Sequence, residues 1–166
     1  IIVQVREQGD RALLALSEKF DGVTASQVAL SDQQKRAIVA TLGSSEKAAI
    51  ELAYGQIKRF HEAQVAKDVS VETTQGVTCE LLTAPISAVG LYVPGGSAPL
   101  PSTVLMLGVP SQIAGCERVV LCTPPIANVG GITPEILYAA QLCGINEIYC
   151  TGGAQAIAAM AYGTQS

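Results

Sequence analysis

The spacing of apolar residues predicts that the first third of the chain is helical. Over residues 1–20, apolar residues and one glycine recur three or four positions apart, which is the spacing of one helix face. Ser31 is placed to cap a second helix that runs to about Leu42, and Ser45 to cap a third that runs to about Gln64. The residues expected on the inner faces of the first and third helices are Ile2, Val5, Gly9, Leu13, Leu16 and Phe20, and Ala49, Ala53, Ile57 and Phe60.

Near Val69 the pattern changes from helical spacing to alternation. The segment "VSVETTQGVTCELLTA" predicts two short strands joined by a hairpin turn at Gln75 and Gly76. Pro85 interrupts this pattern, and we place a domain boundary there. Residues 1–85 then form a helical segment plus hairpin, as part of a first α/β domain, and residues 86–166 form a second domain.

The second domain alternates apolar strands with helices. Strands are predicted at "ISAVGLYV", "RVVLCT" and "EIYCT". The helices that follow them are "STVLMLGVPSQIAG", capped by Ser102 and ending near Gly115, "PEILYAAQLCG", with Pro134 in its first turn, and "AQAIAAMAYG". This alternation is typical of a parallel sheet covered on both faces and joined by right-handed crossovers. We therefore predict an α/β fold, with a helical N-terminal part and a short β-hairpin followed by an incomplete Rossmann-like parallel βαβαβα unit.

The composition, the net charge and the length of the apolar runs exclude several classes of protein. The chain is 49% hydrophobic and 14% charged, which is typical of a globular protein rather than a disordered one. Its net charge of −4 leaves no basic surface for nucleic acid. No stretch reaches the roughly 20 apolar residues of a bilayer span and no signal peptide opens the chain, so we expect a soluble, cytoplasmic protein with no membrane partner. Because the sequence starts without Met, in helical rhythm, and ends in a polar stub, we also expect it to be part of a longer protein.

Two pairs of adjacent glycines, Gly95 with Gly96 and Gly152 with Gly153, follow predicted strands and precede predicted helices. In an open parallel sheet anionic ligands bind at such turns, because helix N-termini present free N–H groups and glycine lets a phosphate approach the backbone. A dinucleotide or a phosphorylated ligand would fit. Neither turn has the spacing of a known phosphate-binding loop, so a purely steric use of the glycines stays open.

Other side chains with candidate chemistry are few. Tyr92 either stacks on a ligand ring or belongs to the core, and Gln155 either binds a ligand or caps backbone groups. The only histidine, His61, is expected to be solvated on a helix surface. One histidine cannot build a zinc site or a Ser-His-Asp constellation, so we predict no catalytic residue and no metal site in this chain. The cysteines, odd in number and without C-x-x-C spacing, are expected to be buried, reduced thiols: Cys79, Cys116, Cys122, Cys143 and Cys150.

The long motifs of the second domain are more specific than any glycine turn. The stretches "VGLYVPGGSAPLPSTVLMLGVPSQIAGCERVVLCTPP" and "EILYAAQLCGINEIYCTGGAQAIAAMAYGT" closely resemble the bacterial histidinol dehydrogenase family, and the resemblance extends to "REQGDRALLALSEKFDG" near the start. Enzymes of this family are cytoplasmic, zinc-dependent homodimers that oxidise L-histidinol through the aldehyde to L-histidine with two NAD. The resemblance implies that activity for the full-length protein, an NAD-dependent zinc oxidoreductase of histidine biosynthesis.

The resemblance also assigns residues. The tyrosine of the family's "GLY-x-PGG" stretch matches Tyr92 and the glutamine of "GGAQA" matches Gln155, and the family uses both at its NAD site. With the glycines at 95, 96, 152 and 153, these residues make up the predicted cofactor-binding set. The family's "GPGN" asparagine, its zinc ligands, its substrate-binding residues and its proton-handling Glu-His pair are expected beyond Ser166. The 166-residue chain alone is therefore predicted to be inactive.

One segment departs from the family pattern. "IANVGGIT", residues 126–133, is longer than the connection found in some members, and its role is left open. Two further interpretations also stay open for the chain: a stand-alone nucleotide- or phosphate-binding module, and a packing or dimerisation unit.

Overall fold

A computed structural model describes residues 1–24, 27–95, 98–126 and 131–166. Within these ranges the helices are α1 (Ile2–Gln8), α2 (Asp10–Asp21), α3 (Asp32–Val39), α4 (Ser44–Glu62), α5 (Pro101–Ala114), α6 (Pro134–Leu142) and α7 (Gly153–Tyr162). The strands are β1 (Val69–Thr74), β2 (Val77–Leu81), β3 (Ala88–Tyr92), β4 (Arg118–Thr123) and β5 (Glu147–Cys150). The α/β fold class is confirmed, with a helical N-terminal part, a short hairpin and a parallel βαβαβα unit.

The three apolar strands form a parallel sheet in the order β3-β4-β5, as predicted. Tyr92 at the end of β3 is in register with Cys122, and Cys122 is in register with Tyr149 of β5. Residues in register project from the same face of a sheet, so these three side chains share one face. All three strands end at the same edge, where the loops that carry the glycine pairs begin.

The crossover helices α5 and α6 pack together on one face of the sheet. There Leu91, Leu121 and Ile148 belong to the main hydrophobic core. Helix α4 contacts both α5 and α6, and α3 contacts α6, so residues 32–62 pack with the second half of the chain. The domain boundary at residue 85 stays a prediction.

The opposite face of the sheet is covered by α7, which in turn packs against α1 and α2. A smaller hydrophobic cluster joins these helices: Val5, Ala12, Leu13, Leu16, Val28 and Ala158. Coverage is partial, because a cavity of about 230 Å³ lies against this face, with Gly90, Cys122, Thr151 and Met160 in its lining. The expectation that helices cover both faces is therefore met in full on only one of them.

The N-terminal region also closes one edge of the sheet. The backbone N–H of Cys150 donates to the carbonyl of Val28 at 2.8 Å, and that of Leu30 donates to the carbonyl of Ile148 at 3.5 Å. These bonds set residues 28–30 antiparallel to β5. An edge strand with free hydrogen-bonding groups invites aggregation, and here β5 is shielded from it.

The spacing predicted one continuous N-terminal helix, and this prediction is wrong at Gly9. The structure has two helices there, α1 and α2, separated by this residue. This residue has φ +55° and ψ −132°, a backbone conformation that residues with a side chain rarely adopt, and it ends α1 and starts α2 in a new direction. The predicted inner face is correct for the buried Val5, Leu13 and Leu16, but Ile2 at the start of α1 and Phe20 near the end of α2 are each 54% exposed.

Helix starts were predicted with mixed success. Ser31 caps α3 through a capping box with Gln34, as expected. Ser45 and Ser102 are not caps: both lie inside the first turn, and the N-cap positions belong to Gly43 and Leu100. A cap is defined by the non-helical backbone of its residue, which the presence of a serine alone does not fix.

The inner face of α4 also differs from the prediction. Ala49 is exposed and Phe60 is 64% exposed. Ala53 and Ile57 pack toward α5 and α6 as predicted, together with Ile50 and Tyr54, which the prediction did not include. Because α4 contacts two helices at once, their positions decide which side of it is buried.

The predicted hairpin is confirmed and stands clear of the rest of the chain. β1 and β2 pair antiparallel, Val69 lies opposite Leu81, and the turn has Gly76 at φ +79°. Every residue of both strands is exposed. Cys79 lies here, so the expectation of a buried thiol is wrong for this cysteine.

The other cysteines follow the prediction more closely. Cys122 and Cys143 are buried, Cys116 and Cys150 are partly buried, and all are free thiols. Burial raises the pKa of the Cys122 thiol to about 12 and that of the Cys143 thiol to about 11. Thiols with such values are inert nucleophiles at neutral pH. Across the described ranges we find no helix with the length and apolar character of a membrane span.

Candidate functional site

The loops that follow β3, β4 and β5 converge on Pro124. A Cβ added to Gly95 would lie 2.5 Å from Cγ of Pro124, and one added to Gly152 would lie 3.1 Å from its Cα and closer still to its ring. Both glycines therefore have a steric reason to be glycine, independent of any ligand. Their close packing brings both glycine turns against one proline.

A hydrogen bond joins the same two turns directly. The backbone N–H of Gly153, the first residue of α7, donates to the hydroxyl of Tyr92 at 3.1 Å. Gly153 has φ +63°, which strains any residue with a side chain, and it is exposed. Two residues predicted independently as cofactor contacts are thus in contact with each other.

Gln155 lies in the first turn of the same helix and is 2% exposed. Its Oε1 lies 2.8 Å from the position that a Cβ on Gly153 would occupy, so the side chain folds back beneath the glycine. The sequence predicted Gln155 beside this turn. In the structure its side chain lies next to Gly153, which in turn is hydrogen-bonded to Tyr92.

Sequence reasoning missed two threonines at this edge. Thr151, directly before Gly152, is 1% exposed, and Thr133, the N-cap residue of α6, is 7% exposed. Among the described residues neither hydroxyl has a hydrogen-bond partner. Thr133 lines a small cavity together with Gly95 and Pro124. Their signal in the sequence was position alone, since each precedes a helix that follows a strand.

Buried polar atoms without partners are uncommon in folded proteins, because each costs free energy. They are often satisfied by a ligand or by water. Thr133 and Thr151 line two different cavities near the edge where the strands end, and each offers a polar group there that a ligand or water could bind. The helix dipole of α7 adds positive potential at its first turn, and no acidic residue in that turn neutralises it.

The remaining candidate residues lie away from this edge of the sheet or outside the described ranges. His61 lies on α4, where its ring meets the edge of Phe60 at 5.8 Å between centroids. In the part of the chain that the structure describes, no group of three or more His, Cys, Asp or Glu side chains could hold a metal ion. Gly96 lies outside the described residues.

The longer connection at residues 126–133 is described only at its ends. The N–H of Ile126 donates to the carbonyl of Gly131 at 2.8 Å, which closes the base of the connection beside Pro124. Residues 127–130 lie outside the described ranges.

Comparison with known proteins decides the family. The family model of histidinol dehydrogenase matches residues 1–166, the whole of this chain. The chain belongs to the histidinol dehydrogenase family. Histidinol dehydrogenase from Photobacterium profundum is 58% identical over 166 residues, covering 100% of this chain and 36% of that protein. The enzyme from Vibrio cholerae serotype O1 is 56% identical, covering 100% of this chain and 37% of that protein.

The fold agrees with a solved member of the family. The crystal structure of histidinol dehydrogenase from Elizabethkingia anophelis superposes with a TM-score of 0.93 at 43% sequence identity. The match covers 99% of this chain and 38% of that one. This chain thus spans little more than a third of the length of its histidinol dehydrogenase relatives.

Proposed function

We propose that this chain forms part of the NAD site of a histidinol dehydrogenase, an enzyme that oxidises L-histidinol to L-histidine with two NAD in histidine biosynthesis. The observation that carries the proposal is the contact between Tyr92 and Gly153. This hydrogen bond joins the end of β3 to the turn after β5 in the parallel sheet of a chain of that family. Ligands of open α/β sheets bind at this edge.

The residues at this edge fit a dinucleotide. Tyr92 offers a partly buried ring, and Gln155 offers an amide with one donor and one acceptor group. Gly153 has no side chain and is exposed at the start of α7. When bound, NAD would supply the hydride acceptor of the reaction. The role of this chain is to bind and orient it.

The described residues do not fit a zinc site. We therefore assign zinc, which the family requires, to residues of the full-length enzyme outside this chain, and we derive no step through it. The same holds for the substrate-binding residues and for the groups that exchange protons with L-histidinol. The 166-residue chain alone is expected to show no turnover of L-histidinol.

Further parts of the proposal concern assembly and location. We propose that the full enzyme is a cytoplasmic homodimer, as the family resemblance implies, with no nucleic acid or membrane partner. A role of this chain in packing or dimerisation is favoured by one observation. The hairpin exposes Val69, Val71, Val77 and Leu81, each by 47% or more, and two-stranded hairpins are marginally stable alone.

Titration of the chain with NAD, followed by NMR chemical shifts, tests the cofactor proposal. We expect saturable shifts at Gly95, Gly152 and Gly153, and we expect Tyr92→Ala and Gln155→Ala to abolish them. Tyr162→Ala is the matched control, because it removes a tyrosine at the other end of α7. Absence of shifts in a folded sample, or equal shifts in all variants, would contradict the proposal for this chain. The alternative of a general phosphate module predicts equal binding of NAD and inorganic pyrophosphate.

A further inference from the structure

The cavity on the α7 face of the sheet extends away from the loops at which the strands end. Its volume is about 230 Å³, and its lining does not include the cofactor candidates Tyr92, Gly153 or Gln155. Along β4 the lining reaches from Cys122, near the end of the strand, back to Arg118 at its start. The cavity therefore follows the length of the sheet, whereas the NAD site is proposed at one edge.

Apolar side chains make up most of its walls. Leu13 of α2 and Ala159 and Met160 of α7 line the cavity above the sheet, and Val120 and Cys122 line it from β4. The Cys122 thiol stays neutral at pH 7, because burial raises its pKa to about 12. These groups offer a ligand dispersion contacts and no charge.

The segment 163–166 also contributes to the lining and is held in place at both sides of the cavity. The hydroxyl of Tyr149 on β5 donates to the carbonyl of Ser166 at 3.1 Å. The backbone N–H of Asp10, at the start of α2, donates to Oε1 of Gln165 at 2.8 Å. The cavity thus has walls from α2, from α7, from the sheet and from this segment.

One polar group of the sheet is left unused in the lining. The polar residues that line the cavity from β4 and β5 are Arg118, Tyr149 and Thr151. Arg118 is paired with the carboxylate of Glu147, and Tyr149 is bonded to Ser166. Thr151, two residues after Tyr149 and so on the same face, is 1% exposed, and its hydroxyl has no partner among the described residues.

We propose that this cavity binds a small, neutral, largely apolar molecule that carries one hydrogen-bonding group, and that the Thr151 hydroxyl binds that group. A cavity of about 150 Å³ is large enough for benzene, so this one accepts a bicyclic aromatic molecule of the size of indole. The ligand is neutral because Arg118, the cation in the described lining, already has its carboxylate partner. A charged ligand would lose hydration without gaining a counter-ion.

Indole and indene are matched probes, because they share a shape and only indole has an N–H. The experiment titrates the 166-residue chain with each and follows NMR chemical shifts. We expect saturable shifts at Val120, Thr151 and Met160 with both probes, and tighter binding of indole. Thr151→Val keeps the shape of the side chain and removes the acceptor. Its affinity for indole should fall about two- to tenfold, the range set by the net contribution of one hydrogen bond, while its affinity for indene stays the same.

Thr133→Val is the matched control. Thr133 is also buried, and its hydroxyl also lacks a partner among the described residues, but it lines a different cavity. This variant should bind both probes as the unmodified chain does. Val120→Phe fills the cavity and should abolish binding of both probes. If Val120→Phe does not fold, the comparison of the two threonine variants decides alone.

Three results would overturn the proposal: no binding of either probe by the unmodified chain, shifts that lie outside the cavity, or equal affinity for indole in Thr151→Val and the unmodified chain. Titration of the full-length enzyme adds a fourth test. Binding by the 166-residue chain but not by the full-length enzyme would mean that residues outside this chain fill the cavity. None of these results bears on the NAD proposal, which is tested by separate residues and a separate ligand.

Discussion

The two faces of the parallel sheet are packed differently. On the face toward α5 and α6, large aliphatic side chains fill a continuous core, with Leu121 fully buried and Ile148 4% exposed. On the face toward α7, the sheet presents Gly90, Cys122 and Thr151 to a cavity of about 230 Å³. The face toward α5 and α6 is fully packed, and we call it the closed face. The face toward α7 leaves a cavity, and we call it the open face.

Side-chain volume explains the difference. Protein interiors are close-packed, so a face lined by small residues closes only if the opposite element approaches further. The buried residues of α7 include Ala156 and Ala158, and Met160 occupies the space that a Cβ on Gly90 would need. The closed face therefore supplies most of the buried apolar area, and the open face carries Tyr92 and the start of α7. Stability and the candidate cofactor site are thereby assigned to different sides of one sheet.

Truncation of a side chain on the closed face should have the largest effect. Leu121→Ala removes a fully buried side chain from the centre of β4, and we expect it to lower the free energy of unfolding by about 2–5 kcal/mol. Val120→Ala, one residue away on the open face and partly exposed, should cost clearly less. Urea denaturation of both variants measures the difference. Equal losses would mean that the two faces are packed equally well.

A substitution on the open face should change the free energy of unfolding less than Leu121→Ala does, and should raise it rather than lower it. Thr151→Val keeps the shape of the side chain but removes a buried hydroxyl that has no partner among the described residues. Because burying such a group costs free energy, we expect the variant to be as stable as the original chain or more stable by about 1 kcal/mol. Thermal unfolding with Thr41→Val as control checks this, since the Thr41 hydroxyl donates to the carbonyl of Ile38 at 2.7 Å. A clear loss of stability in Thr151→Val would show that its hydroxyl is satisfied.

Much of the fold could be predicted because the strands are continuous apolar runs. β4 begins at Arg118 and ends at Thr123, the ends that "RVVLCT" predicted, and Pro134 starts α6 as its fixed φ allows. Gly9 was misjudged because a glycine fits an apolar spacing while its backbone is free to turn. The inner face of α4 was misjudged only at Ala49 and Phe60, because the helices packed against α4, rather than its own spacing, select the buried side.

The candidate site could be predicted only in part. Tyr92, Gln155 and the glycines were singled out by their positions beside strand ends, and the resemblance then favoured Tyr92 and Gln155 as cofactor contacts. The bond from Gly153 to Tyr92 could not be found, because it joins residues far apart in sequence and depends on the packing of α7 against β3. The partnerless hydroxyls of Thr133 and Thr151 were equally hidden, since only a packed structure shows that nothing bonds to them.

The smallest expected effect is a pH dependence at the amino-terminal edge of the sheet, where an exposed ion pair joins β4 to β5. Arg118 on β4 donates hydrogen bonds to the carboxylate of Glu147 on β5, from Nε to both oxygens at 2.9 and 3.1 Å and from Nη2 to one of them at 2.5 Å. These bonds hold the pKa of Glu147 below its usual value of 4.5. A carboxyl whose pKa is lowered by folding contributes stability above its unfolded pKa, and this contribution is lost as the pH falls through the folded value.

We therefore expect Glu147→Gln to lower stability slightly at pH 7 and to have no effect at a pH below the folded pKa of Glu147. The pair is exposed on both sides, so salt screens it and its contribution should be smaller than that of either substitution above. Urea denaturation at several pH values, at low and at high salt, measures the dependence, with Glu117→Gln as control on a neighbouring exposed carboxylate. Because the pair joins the starts of β4 and β5, far from the glycine turns, NAD binding should be the same in both variants. A change in NAD binding by Glu147→Gln alone would show that the two edges of the sheet are coupled, against the separation of stability from binding that the two faces suggest.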